Sequence, residues 1–224
     1  VDPVTGYSLD IKRIDRAVQD RVLPYLEGLL ATGSGAGAGA PMGQVMQRIG
    51  ALLQEALGGA VAEVHLALTP FYSLRWRSRD MDHVVIRQQY EFAAAHRLHA
   101  PELSDQENRR VFGKCNNPSG HGHNYRVEVA VRMPIDPAGG VTPVEKLDAV
   151  VDSQVIQKLD HKHLNLDVPQ FARLNPSVEN ITREVYRMLA PAIRQMGAEL
   201  EEVRVWETSK TVCTYRGEEA PAGR

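Results

Sequence analysis

An α+β fold is predicted by three features of the sequence. Strand alternation is the first: in HNYRVEVAVRM, Tyr125, Val127, Val129 and Val131 alternate with polar or small neighbours, as a strand with one buried face does. Helical recurrence is the second, in stripes such as Ile14, Val18, Val22 and Leu26 at four-residue spacing. The third is a pair of hairpin-like segments, VAEVHLALTPFYSLRWR and VRVWETSKTVCTYRG, each downstream of two helix-forming stretches. At 224 residues, 43% of them hydrophobic, the protein is large enough to bury one good core or two small ones.

In sequence order, the first helix carries the Ile14–Leu26 stripe. GSGAGAGA (Gly33 to Ala40) has nothing to pack and reads as a flexible connection. A second helix follows with Val45, Ile49, Leu52, Leu53 and Leu57 on one face, then a hairpin turning at Thr69-Pro70. From near His83 the sequence becomes VVIRQQYEFAAAHRL, a strand, and then the alternating strand above. A helix is expected over about Pro143 to Leu159 and another from about Ser177, its N-cap, to Met196. The closing hairpin ends the protein.

The two parts repeat each other. VDPVTGYS (Val1 to Ser8) matches IDPAGGVT (Ile135 to Thr142) without gaps, and VHLALT (Val64 to Thr69) falls on VRVWET (Val203 to Thr208). The shared order of segments favours duplication over coincidence. The boundaries expected are 1–82 for a partial first copy that lacks two leading strands and 83–224 for a complete unit. Because the sequence opens on Val1 rather than Met, a fragment or a processed product is expected.

Bulk properties exclude some functions. A net charge of -2 argues against a broad nucleic-acid or membrane-binding surface. No apolar run approaches a membrane span and no leader is visible. Two cysteines, Cys115 and Cys213, make no disulfide framework, so a cytoplasmic location is expected. Cys213, in the last strand, reads as a packed small hydrophobe.

The chemistry is concentrated in FGKCNNPSGHGHNY, Phe112 to Tyr125. His121 and His123, two apart at a strand entry, point to one face, which suits two imidazoles on one metal. His96, in AAAHRL, is the natural third ligand from a neighbouring strand. Three imidazoles holding Zn2+ with one position open describe a catalytic site; the competing reading is a polar turn with surface histidines. Cys115 is either a fourth ligand that closes the site or a thiolate base beside the metal. In LDHKHLN, the adjacent Asp160 and His161 read equally as an oriented acid–base pair and as a solvated helix end. Glu207, in an otherwise apolar strand, belongs at a surface edge or in a site. Glu179 opens a helix, where the macrodipole alone accounts for a negative charge.

At these residues the sequence resembles the 6-pyruvoyl-tetrahydropterin synthases. The matching segments are EFAAAHRLHAPELSDQENRRVFGKCNNPSGHGHNYRV, LDHKHLNLDVPQFA, NPSVENI and VWETSKTVCTYRGE, covering about Val84 to Glu218. The resemblance implies a tunnelling fold (T-fold), an antiparallel four-stranded sheet with two helices on one face, joined edge to edge into homo-oligomers. It implies 7,8-dihydroneopterin triphosphate as substrate and 6-pyruvoyl-tetrahydropterin as product, with triphosphate eliminated. It further implies zinc on His96, His121 and His123, Cys115 as proton acceptor, Asp160 and His161 as a relay across a subunit boundary, Glu207 as a further acid–base group and Glu179 as pterin anchor. No net redox change is involved, and no glycine-rich dinucleotide fingerprint is present. Two alternatives stand beside this: the sister 6-carboxytetrahydropterin synthases of queuosine biosynthesis, which share substrate and zinc histidines, and a non-catalytic pterin-binding scaffold. The first copy has Leu68 where Glu207 stands and no Asp-His pair, so it is expected to be structural.

Overall fold

The computed structural model describes residues 3–4, 6, 8–31 and 41–217. The protein divides into two compact units, Val1–Val85 with Met133–Thr142, and Ile86–Arg132 with Pro143–Arg224. Among the described residues, no helix is long and apolar enough to cross a membrane.

In the first unit, helix α1 (Ile11–Ala17) is capped by the Asp10 side chain, which accepts from the Lys12 N–H at 3.0 Å. It runs through one π turn, Val18–Val22, into α2 (Leu23–Ala31). The expected Gly33–Ala40 connection lies outside the described residues. Helix α3 (Met42–Ala56) buries Val45, Ile49 and Leu53 against Ala17 and Val22, and Leu52 and Leu57 are also buried, as the sequence pattern predicts. Strands β1 (Glu63–Ala67) and β2 (Tyr72–Arg77) form the expected antiparallel hairpin, with Thr69 Oγ1 accepting from the Phe71 and Tyr72 N–H groups in its turn. Strand β3 (Asp80–His96) follows β2 and neighbours it, starting three residues before His83.

Ile14 departs from the predicted stripe: it is 37% exposed, while Ala17, Val18 and Val22 face the core. The stretch is not one regular α-helix: the π turn at Val18–Val22 changes the number of residues per turn, so a stripe read at constant four-residue spacing does not hold one face throughout.

In the second unit, α4 (Asp105–Phe112) starts at a full capping box between Ser104 and Glu107. Strand β4 (His121–Pro134) buries Tyr125, Val127, Val129 and Val131 completely, as the alternation predicts. The expected Pro143–Leu159 helix is α5 (Val144–Val151), a π turn over Asp152–Ile156 and α6 (Gln157–Leu159). A two-residue strand, β5 (Lys162–His163), pairs parallel with Ala94 and Ala95 of β3. Beyond it come α7 (Leu164–Asp167) and α8 (Val178–Gln195), whose N-cap is Ser177. Strands β6 (Glu199–Trp206) and β7 (Val212–Tyr215) close the sheet, antiparallel to β4 and to each other, in the order β3-β4-β6-β7. Helix α8 lies on β6 and β7 and touches α5, so both helices cover one face. This is the α+β arrangement anticipated.

The other face carries ions. Glu202, 4% exposed, accepts from Arg87 at 3.0 Å, and Arg87 also donates to Glu128 at 2.7 Å. Burial alone would raise the Glu202 carboxyl, but Arg87 outweighs it and, with Arg216 and Arg204, holds the group below its ordinary range. Cys213 is half-buried on β7 rather than fully packed.

A close contact in the first unit gives a stability test. A Cβ on Gly50 would meet the ring of the buried Trp76 at 2.7 Å. Alanine gains about 1 kcal/mol in helix propensity over glycine, yet Gly50→Ala is expected to lower stability by about 1–2 kcal/mol through overpacking. A urea midpoint equal to or above wild type would contradict this packing.

Candidate metal centre

The site is built where β3 ends and β4 begins. In β3, Phe92, Ala94 and His96 are buried while Ala93 and Ala95 are partly exposed, so the period-two alternation sends His96 to the helix-covered face. In β4, His121 and His123 point to the same face as Tyr125. The three histidines thereby converge, each offering a ring nitrogen within 4.8 Å of the others. Among the described residues they are the group of histidine, cysteine and carboxylate donors that meets this way; Cys115 is outside it.

His96 is the most firmly held of the three. It is fully buried, and its Nδ1 donates to the Pro176 carbonyl at 2.8 Å. A carbonyl only accepts, so Nδ1 carries the proton and Nε2 keeps its lone pair. That Nε2 lies 3.1 Å from His121 Nε2 and 3.4 Å from Glu207 Oε1, with His123 Nε2 at 3.9 Å from the same oxygen. His121 Nδ1 and His123 Nε2 are buried without a hydrogen-bond partner. Burial lowers the His96 pKa to about 4, with the neighbouring histidines adding to the effect and the Pro176 carbonyl opposing it. His123 is also lowered, by burial first, against Glu207. A buried His96 with a lone pair aimed inward, beside ring nitrogens of His121 and His123 that lack a partner, suits a divalent cation.

Gly120 makes this entry possible. Its φ of +72° is the left-handed region, and a Cβ there would lie 2.7 Å from His163 Nε2 and 3.0 Å from the His96 carbonyl. Tyr125 supports the centre from below: its hydroxyl is 3.3 Å from His96 Nδ1 and its ring stacks on Phe92. Burial first, then Glu207 and Cys115, pushes the Tyr125 phenol above its ordinary range.

Cys115 sits half-buried in a 3₁₀ turn, Gly113–Asn116, and its carbonyl accepts from the Leu98 N–H at 2.8 Å. Of the two roles open to it in the sequence, a permanent fourth ligand does not match this arrangement. Asp160 and His161 are paired, His161 Nδ1 to Asp160 Oδ2 at 2.8 Å, and the other carboxylate oxygen accepts from the Ala93 N–H at 2.8 Å. The Ala93 amide first, then His161, keeps the Asp160 carboxyl below its usual range. His161 has φ +57° and is held there by donating its own N–H to the Ala93 carbonyl at 2.6 Å. Its side chain, 82% exposed, lines an open cleft of about 530 Å³ together with His123 and His163.

Glu207 is not within the strand, as the sequence suggested: β6 ends at Trp206, and Glu207 begins the turn, its N–H donating to the Thr211 carbonyl at 3.0 Å. Two residues beyond the buried Val205, it falls on the face that Val203 and Val205 share with the histidines. Glu179 is exposed near the start of α8, three residues after the Pro176 that anchors His96. Sequence reasoning passed over Tyr125, Pro176, His163 and Asn165. Asn165 clamps the residue after His96, accepting from the Arg97 N–H at 2.8 Å and donating to its carbonyl at 3.0 Å. Tyr125 was findable, since it continues the alternation of His121 and His123.

Similarity to known proteins follows the same segment. A sequence-family model described as 6-pyruvoyl tetrahydropterin synthase matches residues 85–218, more than half the protein. The 6-pyruvoyl tetrahydrobiopterin synthase of Poecilia reticulata is 46% identical over 129 residues, 57% of this chain and 86% of that one. The human protein of that name is 42% identical over 134 residues, 59% of this chain and 91% of its own. The solved structure of Caenorhabditis elegans 6-pyruvoyl tetrahydropterin synthase superposes with a TM-score of 0.57 at 38% identity, covering 61% of this chain and 96% of that chain.

The neutral centre predicts a pH dependence. A histidine whose folded pKa lies near 4, against about 6.5 unfolded, stabilises fully above pH 6.5 and loses that contribution as pH falls toward 4. Metal-free protein is expected to lose about 3 kcal/mol across this window from His96. Urea unfolding of wild type and His96→Gln at pH 7 and 4.5 checks this; equal acid sensitivity of the two would contradict it.

Proposed function

The protein belongs to the 6-pyruvoyl tetrahydropterin synthase family, and from that membership we propose how its residues divide the work. The activity is conversion of 7,8-dihydroneopterin triphosphate to 6-pyruvoyl tetrahydropterin with release of triphosphate. His96, His121 and His123 hold one zinc ion. The observation that carries this reading is the convergence of their three rings, with Glu207 Oε1 3.4 Å from His96 Nε2.

An ion held by these three histidines would supply Lewis acidity toward the oxygens on the substrate's tail. The remaining tasks fall to the protein's own residues. Removing a C–H proton from that tail requires a base, and Cys115 takes it, on a turn tied to the strand end through Leu98. Asp160 fixes the His161 tautomer by accepting from Nδ1, which turns Nε2 outward to pass a proton. Glu207, at the turn beside His96, exchanges a second proton. Glu179 accepts paired hydrogen bonds from the pterin amino group and ring N–H. Proton moves alone conserve the oxidation level between substrate and product.

The exposure of His161 supports a relay completed across a subunit boundary, and we read the protein as a homo-oligomer. Among the described residues, strands β1 and β7 each have a single neighbour, which leaves an edge on each for pairing. The N-terminal segment 1–82 is a degenerate partial copy of the unit at 83–224. Supporting this, the π turn at Val18–Val22 and the one at Asp152–Ile156 fall at the displacement that aligns Val1 with Ile135.

Cys115→Ala is expected to lower turnover by at least about 100-fold with zinc content unchanged, whereas His123→Ala loses metal and turnover together. Product analysis should show the pyruvoyl pterin and triphosphate in equal amounts. Full turnover by Cys115→Ala would remove its assignment as base, and acetaldehyde as a product would indicate the carboxytetrahydropterin reaction instead.

A further inference from the structure

A triphosphate ester brings several negative charges to the site, and the residues assigned so far include no cation to meet them. The cleft lined by His123 and His161 has one, Lys162. A second cleft in the same unit, of about 460 Å³, is lined by Arg97, Arg109 and Lys114, with Asp105 the single carboxylate on its wall. Asn116, Asn117 and Pro118 complete its floor.

Two properties separate this cleft from an ordinary solvated surface. The first is preorganisation. Arg97 donates its Nε to the Asn116 carbonyl at 3.2 Å, which leaves both terminal nitrogens of the guanidinium for a ligand. Asn116, 6% exposed, is itself fixed by donating to the Leu98 carbonyl at 2.7 Å, with His99 Nδ1 at 3.1 Å. Asn165 clamps the Arg97 backbone from the other side. The Arg109 and Lys114 side chains make no hydrogen bond or ion pair among the described residues, so their charge is uncommitted. The second is connectivity. Arg97 follows His96 and Lys114 precedes Cys115, and the Leu98 N–H donates to the Cys115 carbonyl at 2.8 Å, so the two segments that carry a metal ligand and the thiol are tied together and also carry two of the three cations.

We propose that this cleft is the polyphosphate subsite, with Arg97, Arg109 and Lys114 gripping the triphosphate of the substrate and holding it as the leaving group. The proposal rests on the reading of a triphosphate ester as substrate. The guanidinium of Arg97 meets phosphate oxygens in bidentate fashion, and Lys114 supplies a point charge beside the base.

The test is titration calorimetry with inorganic triphosphate, alongside kinetics on dihydroneopterin triphosphate. The Arg109→Ala/Lys114→Ala double variant is expected to bind inorganic triphosphate at least about tenfold more weakly. Its KM is expected to rise by a similar factor, with a smaller change in kcat. Arg110→Ala removes one charge from the same helix outside the cleft and is expected to stay within about twofold of wild type. Triphosphate affinity unchanged in the double variant, or weakened equally by Arg110→Ala, overturns the subsite. No binding of inorganic triphosphate to wild type overturns it as well. If wild type binds inorganic triphosphate, the double variant does not, and the ester is not turned over, the subsite stands and the enzymatic reading falls.

Discussion

The second unit is organised around an electrostatic problem: three imidazole rings share a space in which one is fully buried and two carry unsatisfied ring nitrogens. His96, with its Nδ1 proton on Pro176, turns an Nε2 lone pair inward, and His121 Nδ1 and His123 Nε2 find no hydrogen-bond partner there. Pro176 fixes the proton of His96 on the outer nitrogen, Tyr125 backs the same ring, and Gly120 allows the backbone to enter β4 without a side chain in the way. A divalent cation would satisfy the ring nitrogens that these contacts leave without partners. That is why the arrangement reads as a binding site rather than as a satisfied core.

The surrounding groups are placed by backbone, not by side-chain adaptability. The Ala93 peptide receives both Asp160 and His161, which ties the acid–base pair to the strand that carries His96. Glu207 reaches the centre from a turn and Cys115 from a 3₁₀ turn docked on Leu98. Each of these side chains therefore stands on a turn or strand end tied by backbone hydrogen bonds to the sheet or to its neighbour. The basic cleft uses segments 96–99 and 113–118 together with α4, which supplies Arg109, and Arg97 is tied to Asn116 across it.

Much of this was legible in the sequence because a strand's period of two transmits directly to side-chain direction. Tyr125, Val127, Val129 and Val131 were read as one face and are one face, and the same rule carried His121 and His123 to the centre. Helical reading was weaker, as Ile14 shows, because the π turn at Val18–Val22 interrupts the period that the stripe assumed. The place of Glu207 was misjudged since nothing local marks the strand as ending at Trp206; the hydrogen bond to Thr211 does that. Pro176 and Asn165 were invisible as supports because their partners lie far away in sequence, and only folding brings those groups together.

The most direct test of the account is X-ray absorption at the zinc edge on the purified protein. Three nitrogen neighbours at about 2.0–2.1 Å and one exchangeable light atom are predicted. A sulfur neighbour at about 2.3 Å, lost in Cys115→Ser, would show a closed structural centre and contradict the account.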